Sequence, residues 1–235
     1  MSDRQSAENQ PPRELSPEPA PAGPPPPPAA GKDELRSWWR ARRRALSPHE
    51  RTTQSADLTE HVLGWYLPRA RHRRVAVVLS YGTEPDTDPL REALHQAGVE
   101  VLAPVTEPGR QMSWSVWHPG VDVERSSVAP IDEPVGERLG VETMAAVDLV
   151  LVPAQAVDRR GYRMGQGGGY YDRFLAALRQ EVDQQDDFPM PVTVAMVFRH
   201  ELLADGDELP ASEHDEPVDG AVTADGFTWF GPAPS

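Results

Sequence analysis

The segment from Asp148 to Arg179 constrains the fold most strongly. Asp148-Leu-Val-Leu-Val-Pro153 is a short apolar run closed by proline, the pattern of a buried parallel strand. Arg160–Phe174 follows as R-G-Y-R-M-G-Q-G-G-G-Y-Y-D-R-F, with five glycines in fifteen residues. Glycine lets the backbone adopt positive φ and approach a ligand closely, but ordering so many costs chain entropy. From Tyr170 to Arg179, Phe174, Leu175 and Leu178 recur at the spacing of a helix face. A strand, a glycine loop and a helix N-terminus together make an anion site, because unpaired N–H groups and the helix dipole both favour phosphate. The sequence predicts a nucleotide or another phosphate ligand here.

The rest of the chain predicts helices and strands in alternation. Lys32–Leu46 reads as a helix, with Leu35, Trp38, Trp39 and Leu46 as its apolar positions. Ser47-Pro48-His49-Glu50 is a capping box that opens a second helix carrying Leu58, Val62, Trp65 and Tyr66. Arg74–Ser80 reads as a buried strand, followed by the loop 81–87, a helix from Asp88 to Gly98 and a strand over Val99–Val105. Met112-Ser-Trp-Ser-Val-Trp117 alternates like a half-exposed strand, and Val192–Phe198 is another apolar strand. Val121–Glu142 reads as loop. The expected fold is a single three-layer α/β/α domain over 32–232, with a mostly parallel central sheet. Ligands of such sheets bind beyond the carboxyl ends of the strands, which points to the loops 81–87, 106–111, 154–167 and 199–217.

Ten of the 26 prolines lie in Met1–Gly31, including Pro24–Pro28. That tail has no apolar periodicity and is expected to be disordered, either dispensable or a docking peptide for a proline-reading partner. It lacks the cationic start and apolar stretch of a secretory signal, and no stretch approaches the ~18 apolar residues of a membrane span. With no cysteine there is no thiolate metal site or disulfide. These features predict a cytoplasmic protein with no membrane partner. The net charge of −14 argues against nucleic acid. Charge is unevenly spread, however. Lys32–Arg51 holds seven basic and three acidic residues, whereas Glu181–Asp219 holds twelve acidic residues and one basic, Arg199. An anionic substrate must therefore be held by local fields.

Neither common nucleotide fingerprint fits. There is no G-x-x-x-x-G-K-[ST], and Gly165-x-Gly167-x-Gly169 is not G-x-G-x-x-G. The longer string is more specific. Arg163-Met-Gly-Gln-Gly-Gly-Gly-Tyr-Tyr-Asp172 resembles the R-[LM]-G-x-G-x-G-Y-Y-D motif of the 5-formyltetrahydrofolate cyclo-ligase family. Lys32-Asp-Glu-Leu-Arg36, Ser80-Tyr-Gly-Thr-Glu-Pro-Asp-Thr87 and Glu213-His-Asp-Glu-Pro-Val-Asp219 resemble three further family elements in the same order. The similarity spans Lys32 to Trp229.

The resemblance implies an ATP-dependent closure of 5-formyltetrahydrofolate to 5,10-methenyltetrahydrofolate. It implies that Arg163, Lys32 and Arg36 act on the phosphates, with Met164, Gly165, Gln166, Gly167, Gly168, Gly169, Tyr170 and Tyr171 completing the ATP site. It implies folate contacts from Leu79, Glu84, Met112, Trp114, Gln166, Gly167–Gly169 and Tyr170, and Mg²⁺ ligands in Asp172 and Asp215. The expected partners are small molecules, and the expected state is a monomer. Gln166 departs from the family, where relatives often carry an aromatic or basic residue. By their own chemistry, Met112, Trp114 and Trp117 fit core as well as ligand surface. Asp172 could simply complement the helix dipole. Arg42–Arg44 read as solvated and His214 as structural. A non-catalytic folate- or nucleotide-binding relative and a sugar-phosphate isomerase on a similar sheet remain as alternatives.

Overall fold

The computed structural model describes residues 31–234. The proline-rich tail lies outside the described residues, apart from Gly31. Helix α1 (Lys32–Ala45) carries Asp33 and Glu34 in its first turn and Arg42–Arg44 in its last, an order that complements the helix dipole. It buries Leu35, Trp39 and Arg43, one turn apart on one face. The chain turns at Leu46 and re-enters helix as α2 (Pro48–Tyr66). The capping box forms as expected: Glu50 N–H donates to Ser47 Oγ at 3.2 Å, and Ser47 N–H donates to Glu50 Oε2 at 2.8 Å.

Strand β1 (Arg74–Val77) is shorter than the sequence predicts. Past Val77 the backbone pairs with a side chain instead of a neighbouring strand. Thr87 Oγ1 donates to Val78 O at 2.7 Å and accepts from Ser80 N–H at 3.2 Å, which turns the chain out of the sheet. After α3 (Asp88–Gln96), β2 (Glu100–Glu107) and β3 (Gln111–Trp117) form a hairpin through Gly109, whose φ of 74° needs glycine. The segment expected as loop contains a second hairpin, β4 (Val123–Arg125) with β5 (Asp132–Pro134). Its strands are short and polar, so they carry no periodic signal. A tertiary contact holds them: Glu133, 4% exposed, accepts from Thr106 N–H at 2.6 Å.

Against expectation, strand β6 (Leu149–Pro153) does not lead directly into the glycine loop. A small hairpin, β7 (Ala156–Val157) with β8 (Arg163–Met164), intervenes. Buried Asp158 ties its turn, accepting from the N–H groups of Arg160 and Tyr162 and, across the chain, from Leu209 N–H at 3.0 Å. Then come α4 (Tyr170–Gln184), β9 (Val192–Met196) and two strands that the sequence did not suggest, β10 (Gly220–Thr223) and β11 (Gly226–Trp229).

The main sheet runs β11-β10-β9-β6-β1-β2-β3, parallel from β10 to β2 with an antiparallel strand at each edge. Alternate strand residues face opposite layers. Val75, Val77, Val101 and Leu151 pack against Leu58, Val62, Leu90 and Leu94 of α2 and α3. Ala76, Leu102, Val150 and Val152 pack against Phe174, Leu175 and Leu178 of α4. This is the expected α/β/α sandwich. No helix among the described residues is long and apolar enough to cross a membrane.

From β1 the chain steps to β2 on one side and later returns to β6 on the other. The reversal lies between β1 and β6, and the crevice beyond their carboxyl ends is the expected ligand position. Helix α1 closes that end by packing Leu35 and Trp39 on Ala156, Met164 and Leu209.

Candidate functional site

A cavity of about 900 Å³ occupies the switch point. Its floor is the carboxyl ends of β1, β2 and β6, through Val78, Leu79, Pro104, Thr106 and Pro153–Gln155. Its walls are the N-terminus of α1, the stretch Arg163–Arg173, and Glu213–Glu216. The β4–β5 loop, with Val128–Ile131, and Arg110 in the β2–β3 turn complete the lining.

The glycine loop approaches α1 closely. Gly167 has a φ of 100°, and a Cβ there would sit 3.4 Å from the Arg36 guanidinium carbon. Gly169 caps α4 at φ 71°, again in the left-handed region. The first turn of α4 thus begins at the cavity wall, and its N–H groups have no intrahelical partner.

Four cations reach this wall. Arg36 Nε donates to Gly165 O at 3.2 Å, tying α1 to the loop. Lys32 Nζ pairs with Asp215 at 2.5 Å, tying α1 to the C-terminal segment. Arg163 is deeply buried, donates to Asp172 Oδ1 at 2.8 Å and also bonds Glu216 O. Burial pulls its guanidinium below the ordinary arginine value, while Asp172 favours the charged form. Arg173 stands exposed at the rim. Burial works against charge at Asp215, yet the hydrogen bonds from Lys32 and Ser212 hold its carboxyl below the ordinary range.

The other side of the cavity is less charged. Leu79 and Met112 offer apolar surface, and Glu84 is half-buried beside them. Tyr81 N–H donates to Glu84 Oε2 at 3.1 Å, and Gln166 Nε2 contacts Oε1 at 3.4 Å. Burial pushes the Glu84 carboxyl up, opposed by the Tyr81 N–H, Arg43 and Gln166. The Tyr171 hydroxyl is buried with no hydrogen-bond partner among the described residues. Its ionisation is pushed well up by burial and then by Glu84, so it stays a proton donor.

Most of the residues named from the sequence line this one cavity: Lys32, Arg36, Leu79, Glu84, Met112, Arg163–Asp172 and Asp215. Trp114 does not. It is 0% exposed, with its ring 5.1 Å from that of Phe174, and belongs to the core beneath α4. Trp117 packs on the opposite face, under the Arg91 guanidinium. Arg43, expected to be solvated, is 2% exposed and forms a bidentate pair with Glu201 at 2.6 and 2.7 Å. It also donates to Ala154 O at 2.6 Å and so pins α1 to the end of β6. His214, expected to be structural, stands exposed at the rim. Gln155 and Val128–Ile131 were missed. A glutamine inside the buried run Leu149–Val157 was the available signal for the first; the second had none.

No cluster of three potential metal ligands occurs among the described residues. Asp172 and Asp215 nevertheless suit Mg²⁺, which takes one or two carboxylates and fills its shell with water and phosphate oxygens. Each engages cations and N–H groups through one oxygen, Asp172 Oδ1 and Asp215 Oδ2, leaving the other available.

Residues 28–224 match the 5-formyltetrahydrofolate cyclo-ligase family. The chain belongs to this family. It is 32% identical over 200 residues to the 5-formyltetrahydrofolate cyclo-ligase of Mycolicibacterium smegmatis, covering 82% of this chain and 93% of that one. It is also 32% identical over 186 residues to the Escherichia coli K12 cyclo-ligase, covering 78% and 95%. Among solved structures, the 5,10-methenyltetrahydrofolate synthetase of Aquifex aeolicus superposes with a TM-score of 0.67 at 28% identity, over 87% of this chain and 95% of that one. The synthetase of Mycoplasma pneumoniae superposes at 0.62 over 83% and 99%; its 18% identity speaks for the fold alone. Membership of the cyclo-ligase family and a cavity lined from the glycine loop to Glu84 agree.

Proposed function

We propose that this chain catalyses the ATP-dependent cyclisation of 5-formyltetrahydrofolate to 5,10-methenyltetrahydrofolate, releasing ADP and phosphate. The supporting observation is the two-sided cavity, cationic and glycine-lined on one wall and apolar with a lone carboxylate on the other. The formamide carbonyl on N5 is a poor electrophile. Transfer of the γ-phosphoryl to the formyl oxygen turns that oxygen into a leaving group; N10 then attacks the formyl carbon, its proton is lost and phosphate departs. No strong general base is needed, because the N10 proton becomes acidic only after attack.

The protein's part is to position the two substrates and offset charge. Arg163, Lys32 and Arg36 stabilise the phosphates, with Met164 and the backbone from Gly165 to Tyr171 beneath them. Glu84 accepts from the amino-pyrimidine edge of the pterin, a pairing that suits two carboxylate oxygens. Leu79, Met112 and Tyr170 bear on the ring system, and Gln166–Gly169 border both substrates. Tyr171, whose hydroxyl is buried without a partner among the described residues and stays protonated, completes the ATP wall. Asp172 and Asp215 would hold Mg²⁺, which when bound neutralises phosphate charge. The catalytic domain runs over 32–232, with 1–31 as a tail. It works as a cytoplasmic monomer on small molecules, with no nucleic-acid or membrane partner.

The test is direct. Purified protein with 5-formyltetrahydrofolate and MgATP should raise the near-ultraviolet absorbance of the methenyl product. No rise with fresh substrate would overturn the reading.

A further inference from the structure

Gln155 lies two residues past Pro153, on the cavity floor between β6 and β7, and is only 1% exposed. Its backbone N–H is already used, donating to Met164 O at 2.7 Å. Packing gives no reason for an amide here, since Ala154, Ala156 and Val157 around it are apolar and buried. A buried amide is unfavourable unless hydrogen-bonded, so the partners it has are informative.

Gln155 Nε2 donates to Gln166 Oε1 at 2.8 Å. Gln166 Nε2 extends in turn to Glu84 Oε1 at 3.4 Å, and Tyr81 N–H holds the other oxygen of Glu84 at 3.1 Å. Side chains alone therefore join the post-β1 loop, the post-β6 segment and the glycine loop across the cavity.

The order of donors and acceptors in this chain is not free. A carboxylate can only accept, so Gln166 must turn its NH₂ to Glu84 and its carbonyl to Gln155. Gln155 must answer with its own NH₂, which leaves Gln155 Oε1 buried without a donor among the described residues. That orphan acceptor is the cost of keeping the whole relay oriented toward Glu84.

We propose that Gln155 is a positioning residue for the folate substrate: through Gln166 it holds the acceptor oxygens of Glu84 toward the donor edge of the pterin. The inference rests on the assignment of Glu84 to the pterin. It makes folate affinity depend on Gln155, a residue that need not touch the folate and that lies apart from the cationic wall of Lys32, Arg36 and Arg163.

The experiment is steady-state kinetics on the full chain for Gln155→Leu, Gln166→Leu, the double variant, Gln155→Glu and Glu84→Gln. Losing the amide link should raise KM for 5-formyltetrahydrofolate by ~5-fold in Gln155→Leu, the worth of one ordinary hydrogen bond, and at least as much in Gln166→Leu, which removes both links. In Gln155→Leu, KM for ATP and kcat should stay within about twofold, and the double variant should be no worse for folate than the worse single, as for residues acting in one chain. Gln155→Glu keeps the size but removes the donor, so it should raise folate KM at least as much. Independent, multiplying effects of the two Leu changes would overturn the relay, as would a Gln155→Glu enzyme with wild-type folate KM. Glu84→Gln separates the causes. If it leaves folate KM unchanged, the assignment of Glu84 fails; if it raises folate KM while the Gln155 variants do not, only the relay fails.

Discussion

Glu201→Ala isolates the contact that seats α1 over the cavity. Arg43 and Glu201 are 2% and 0% exposed, and Arg43 meets both carboxylate oxygens at 2.6 and 2.7 Å. Removing the carboxylate leaves a guanidinium in the interior with Ala154 O as its remaining partner. It also strips the Phe198 N–H of its 2.9 Å acceptor. Breaking a buried ion pair from one side costs about 3–5 kcal/mol. In a domain of this size each kcal/mol moves Tm by ~2–4 °C, so thermal unfolding followed by circular dichroism should show a fall of roughly 6–20 °C. Replacing both partners, as Arg43→Met with Glu201→Leu, removes the unpaired charge and should recover most of that loss. Because α1 carries Lys32 and Arg36, KM for ATP should rise in the single variant before folate KM does. A Tm within ~2 °C of wild type for Glu201→Ala, or a double variant as unstable as the sum of two singles, would refute the reasoning.

Arg163→Ala removes the buried fork between Asp172 and Glu216 and should lower kcat at least ~10²-fold; wild-type turnover would exclude a role in offsetting phosphoryl charge. Burial, and then Arg42 and Arg43, depress the His200 pKa from the usual 6.5 to about 4. A depressed folded-state value means that the unfolded chain takes up the proton first, so stability is full above pH 6.5 and falls as pH drops toward 4. The loss should reach about 3 kcal/mol, and denaturant midpoints of His200→Gln should lack this step between pH 6.5 and 4.

Strong local patterns carried most of the fold. The apolar runs read at 74–80, 99–105 and 148–153 form strands at Arg74–Val77, Glu100–Glu107 and Leu149–Pro153, the first ending three residues early, and the Ser47 capping box forms as expected. The hairpins β4–β5 and β7–β8 were not legible, because buried carboxylates from Glu133 and Asp158 hold them rather than periodic apolar faces. The edge strands β10 and β11 were missed because they are only four residues each, Gly-Ala-Val-Thr and Gly-Phe-Thr-Trp. In the site, Arg163–Asp172, Lys32 and Arg36 could be named because each lies in a short string that resembles a family motif, while the fold alone brings the two strings together. Trp114 and Arg43 were misread for one shared reason. An alternating strand does not say whether a helix covers one face, and a basic run does not say which arginine meets a carboxylate 158 residues away.

The central claim is that one cavity couples a phosphoryl donor to a formylated pterin. Its most direct measurement is ADP and methenyl product followed together in one reaction. The account predicts one ADP for each methenyl group formed, and no ADP release above background until 5-formyltetrahydrofolate is added. Methenyl product without matching ADP, or ADP release indifferent to the folate, would contradict it.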